Sequence, residues 1–194
     1  MYPWEHLLVG YLSFSIYAHL RYREPPSGGE AVGAAIGSQL PDVIDKPLAW
    51  TFSVVETGYS IGHSIFVAPG IVLASIGLAR RLDRPRVGIA IVIAYLSHLT
   101  TDIVYPVVYG RSIEPRVVLW PVASPPPSGE TAGLLERSVH YVLRIERELL
   151  AGDATVFVAV QVILGCSVLL LWFSDGCPGM RELLEYIRSN HRHQ

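Results

Sequence analysis

His98 and Asp102 stand four residues apart in AYLSHLTTDIVYP, residues 94 to 106, inside a run otherwise apolar enough to cross a membrane. That spacing stacks both side chains on one face of a helix. A carboxylate at the centre of a bilayer costs about 2.5–3.5 kcal/mol or more unless it is paired or hydrated. Similar residues recur elsewhere. His6 opens an N-terminal apolar segment, Asp42 and Asp45 stand in QLPDVIDK (39–46), and His63 opens another run after Gly62. Imidazole nitrogens and carboxylate oxygens suit Zn²⁺, Mn²⁺ or Fe²⁺, and Cys166 and Cys177 form no metal-binding or disulfide pattern. A shared cation would offset the burial of the acids.

The elements that must position these residues read as membrane helices. Of the 194 residues, 51% are hydrophobic and 16% charged, and the mean hydropathy is +0.37, too apolar for an ordinary soluble domain. Crossing about 30 Å of hydrocarbon takes roughly 20 residues. Segments 61–79, 87–105 and 154–173 meet that, and 4–20 is just long enough. Residues 31–40 (AVGAAIGSQL) cover about half a bilayer, and their small side chains place them inside a bundle. TAGLLERSVHYVLRIERELL (131–150) has the spacing of an amphipathic helix at the interface. The expected fold is all-α: a polytopic integral membrane bundle of about four spanning helices, a short half-helix and an amphipathic helix. It forms a single domain over 1–174, followed by a polar cytoplasmic tail at 175–194.

The short basic loops RYREPPSGGE (21–30) and RRLDRPR (80–86) orient this bundle, since basic loops stay in the cytoplasm. The segment directions then agree throughout. Counted from the cytoplasmic ends, His6, His63 and His98 lie roughly 17–23 Å up, and the end of the half-helix about 16 Å up. Four segments thus deliver three histidines and three aspartates, Asp42, Asp45 and Asp102, to the outward half of the bundle.

Singly, each residue has an ordinary reading. QLPDVIDK could be a helix stop with an Asx-type turn. His63 with Ser64 could be an N-cap region, and His98 with Asp102 a buried hydrogen bond. His19 and His140 read as hydrogen-bonded core histidines, the terminal HRHQ as a solvated tail, and Lys46, the only lysine among fifteen basic residues, carries no reading of its own. It is the coincidence of depth that favours a metal.

The N-terminal histidine, GSQLPDVID, GHS and YLSHLTTDIV followed by VVLWPV resemble the membrane-bound metal-dependent hydrolases, also called the LexA-binding, inner-membrane-associated hydrolase family. The resemblance covers roughly residues 1–125 and lies in the order of the motifs. Members are distantly similar to zinc-dependent phospholipase C, an all-helical metallohydrolase of phosphodiesters. It implies His6, Asp42, His63, His98 and Asp102 as ligands of one or two divalent ions, Zn²⁺ first, with Asp45 a further ligand or a base. Two departures stand out. Val43 and Ile44 separate the two aspartates, and Gly62 stands where the family's THS motif has threonine.

The chemistry expected is hydrolysis of a phosphoester, a membrane phospholipid first, with Asp45 taking the proton of the attacking water. Arg111 and Arg116, past the end of the fourth segment, could hold a phosphate, or anchor the chain at the interface. The alternative is a non-enzymatic membrane protein that holds or transports a metal ion. The formal net charge of −2 gives no reason to expect a nucleic-acid partner. The N-terminus lacks the basic region of a cleaved signal peptide.

Overall fold

The computed structural model describes residues 1–126 and 155–191, together with positions 136, 139 and 143. Its helices are α1 (Pro3–Tyr22), α2 (Gly28–Trp50), α3 (Ala68–Arg81), α4 (Pro85–Val104), α5 (Thr155–Ser174) and α6 (Met180–His191). Two short 3-10 turns, Tyr105–Tyr109 and Pro115–Val118, follow α4. No strand occurs among the described residues, so the all-α expectation holds. The amphipathic helix expected over 131–150 lies, but for those three positions, outside the described residues, as does His140.

The chain divides into two compact units. One comprises Met1, Leu40–Ile71 and Leu99–Ile163; the other comprises Tyr2–Gln39, Val72–His98 and Leu164–Gln194. In the second, α1 and the first parts of α2 and α4 meet through small residues. Phe14, Ala18, Ala34, Ala90 and Ala94 form its buried core. A Cβ added to Gly37 would lie 2.2 Å from the Ile91 carbonyl oxygen, so only glycine lets α2 and α4 approach this closely. The Gly, Ala and Ser content of 31–40 serves the close packing expected of it.

In the first unit, the second part of α2 packs against the stretch 58–64. Here two expectations are corrected. The half-helix does not end at QLPDVIDK: α2 runs for 23 residues with Pro41 and Pro47 inside it. An interior proline costs a helix about 3 kcal/mol, which is why the sequence reads as a stop. Side-chain contacts from this part of α2, described below, offset that cost.

Nor is 61–79 one helix. α3 starts only at Ala68 and has 14 residues, about 21 Å of rise, too short to span. The amides of Ser60, Gly62 and His63 are committed to Asp45, and that of Ile65 to the carbonyl of Val118. Donors used in this way cannot close a helical turn, and Pro69 then favours a helix start where α3 begins. Among the described residues one stretch, Pro85–Val108, is both long and apolar enough to cross a membrane, and Val158–Ser174 is a shorter apolar helix. Of the four or so spans expected, length and composition thus identify one clear candidate among the described residues.

Candidate metal centre

The first unit holds Asp42, Asp45, His63 and Asp102, all buried. Asp45 is fully enclosed. Its Oδ1 accepts the Gly62 amide at 2.8 Å, and its Oδ2 accepts the amides of Ser60 at 2.7 Å and His63 at 3.1 Å. Oδ2 also accepts His63 Nδ1–H at 2.7 Å. Four donors leave this carboxylate little capacity for anything else. A carboxylate only accepts, so Nδ1 carries a ring proton and Nε2 is the nitrogen turned away from Asp45.

That nitrogen faces two more acids. His63 Nε2 lies 3.6 Å from Asp42 Oδ1 and 3.4 Å from Asp102 Oδ2, longer than a good hydrogen bond. Two ligands each about 2.05 Å from a tetrahedral ion lie about 3.3 Å apart, so the donor set fits a divalent cation. Asp42 Oδ2 pairs with Lys46 one turn along α2, and the ammonium sits 5.7 Å from the Trp50 ring centroid. Asp102 Oδ1 also lies 3.2 Å from the Met1 nitrogen. Gly62 is required where it stands: a Cβ there would come within 2.7 Å of the Pro41 carbonyl oxygen, which gives the missing threonine a steric reason.

The second unit holds the other two histidines. His6, in the first turn of α1, and His98, on α4, are each 1% exposed, and their rings stack with centroids 3.5 Å apart. His98 Nδ1 is 2.6 Å from the Ser38 carbonyl oxygen. A carbonyl only accepts, so here too Nδ1 carries a ring proton, and Nε2 is the nitrogen that would bind an ion. His6 and His98 offer ligand atoms within 4.8 Å of each other, as do Asp42 and His63 in the first unit.

A family model described as YdjM inner membrane protein matches residues 1–175. The chain belongs to that family. Membership makes this YdjM-family chain a membrane protein, in keeping with the inner-membrane character of the resemblance drawn from its motifs. No curated protein and no solved structure is significantly similar to it.

Two contributors in this YdjM-family chain escape sequence reading. The Ser38 carbonyl is a backbone atom and leaves no signature. Lys46 does leave one, a lone lysine four residues after Asp42, which helical spacing turns into a pair. Asp45, expected as a further ligand or a base, has its oxygens engaged in positioning His63 and the 60–63 turn. Arg116 is exposed, and its guanidinium grips Glu114 in a two-pronged pair at 2.7 and 2.6 Å. That contact holds the Glu114 carboxyl below its usual range. Arg111 is exposed at the start of the same loop. His19 hydrogen-bonds Asp175, its Nε2 2.7 Å away, but it is exposed and is not the core histidine expected.

Proposed function

We propose that this chain is a membrane-embedded, metal-dependent hydrolase of a phosphoester, with a phospholipid headgroup as the substrate a membrane site meets most directly. In this reading His6, Asp42, His63, His98 and Asp102 hold one or two divalent ions, Zn²⁺ first, toward the outer side of a multi-pass bundle. Helix spacing supports the grouping. Ser38 and Asp42 lie one turn apart on α2, and His98 and Asp102 one turn apart on α4, so each helix carries a contact to one histidine and an acid on the same face. The observation that carries the reading is that Asp42 and Asp102 both face His63 Nε2, at 3.6 and 3.4 Å, while Nδ1 of His63 and of His98 is each held by an acceptor.

When bound, a divalent ion supplies Lewis acidity, polarising a phosphoryl oxygen and bringing a water's pKa toward neutrality. The chain's own part is to fix the imidazoles through Asp45 and Ser38, and to hold Lys46 beside Asp42, where an ammonium can meet an anionic substrate. The alternative is a metal held structurally or transported; a broken helix at 31–40 would favour transport, and α2 is continuous there. The test is turnover of phospholipid and soluble phosphoester substrates by purified protein, with and without chelator. Chelator-sensitive release of phosphate or headgroup supports the hydrolase. Metal-replete protein without turnover, or metal uptake into vesicles, supports the alternative.

A further inference from the structure

The C-terminal helix α6, expected to be part of a polar tail, is amphipathic in an inverted sense. At 100° per residue, Met180, Leu183, Leu184 and Ile187 share one face, with Glu182, Glu185 and Ser189 opposite. Arg181 and Arg188 flank the apolar face on one side and Tyr186 on the other. In a water-soluble unit the apolar face would pack inward. Here the acidic side is docked: Glu182 accepts the amide of Gly28, at the start of α2, at 2.9 Å, and that of Gly179 at 2.7 Å. The apolar side is left open, with Met180, Leu183, Leu184 and Ile187 exposed by 44–57%.

The surroundings say what covers it. α5, which leads into α6, is apolar all round, and the chain belongs to an inner-membrane family. The same end of this unit carries Arg84, near Gly29, and Arg86, bonded to Glu24 and Glu30. Arginines flanking an apolar helix face keep their charge at the headgroups while their stems cover apolar surface. We infer that α6 lies in the plane of the membrane interface, its Met180–Leu183–Leu184–Ile187 face in the acyl boundary and Arg181 and Arg188 against anionic phospholipid headgroups.

The test uses full-length chain carrying Cys166→Ser and Cys177→Ser, with single cysteines at 183, 184, 185, 187 or 189. Each is spin-labelled in vesicles of phosphatidylethanolamine and phosphatidylglycerol. Labels at 183, 184 and 187 are expected to collide with oxygen several-fold more than with a water-soluble nickel chelate, and those at 185 and 189 to show the reverse. Equal access of the chelate to all five positions would overturn the inference. So would spin–spin broadening at 184 and 187 that disappears on dilution with unlabelled chain, because a second copy would then cover the face. As a second measurement, Leu184→Glu with Ile187→Glu should render the segment after 180 sensitive to protease added to open vesicles, and unchanged protection would contradict the inference.

Discussion

At His63 the imidazole is held on its Nδ1 side by Asp45 and faces Asp42 and Asp102 on its Nε2 side. A buried carboxylate that accepts four donors is a positioning group, fixing ring orientation and tautomer. Asp45→Asn preserves size and replaces an acceptor oxygen with a donor. It should weaken metal binding about 10–100-fold, the usual effect of losing such a partner, as measured by competition with a chromophoric chelator. A base role would leave metal binding intact and abolish turnover alone, so the two roles separate in one variant. The identities of His6, Asp42, His63, His98 and Asp102 as site candidates were legible in the sequence because acids and imidazoles in apolar runs are costly without a partner. The role of Asp45 was not, because its partners are backbone amides in a turn that reads as helix.

At the scale of elements, close helix approach and end contacts decide stability. Gly37→Ala drives a methyl group into the Ile91 backbone, where no flexible side chain can yield, and is expected to destabilise the fold by about 1–3 kcal/mol. Gly77→Ala, in α3, meets nothing within 4 Å and should be neutral or stabilising by up to about 1 kcal/mol. Thermal unfolding in detergent checks both. α6 offers a pH handle. The Glu182 carboxyl is held below its ordinary range by its own amide first, then by those of Gly179 and Gly28. A carboxyl lowered on folding stabilises above the unfolded pKa of about 4.3 and loses that contribution as pH falls through the folded value. α6 should therefore loosen in acid below about pH 4, and Glu182→Gln should show the loosened state at neutral pH, both read by amide exchange at Gly28 and Gly179. α1, α4 and α5 were placed by their apolar runs to within two residues. α2 and α3 were misjudged because proline content and apolar length are local signals, while Asp45 and the amides it gathers are separated by 15–18 residues.

For the whole molecule, membership in an inner-membrane family and an apolar stretch of 24 residues place the chain in a membrane. Composition alone had pointed there. Within that setting Asp42 and Asp102 both face the buried His63 imidazole, an arrangement that a divalent cation would stabilise. The most direct measurement is elemental analysis of the chain purified in detergent without added metal, beside His63→Ala and His98→Ala. At least one Zn²⁺, Mn²⁺ or Fe²⁺ per chain is expected in the unaltered protein, and little or none in either variant, with helix content preserved. Metal-free protein that stays metal-free after incubation with these ions, or variants that keep the full complement, would contradict the metal centre.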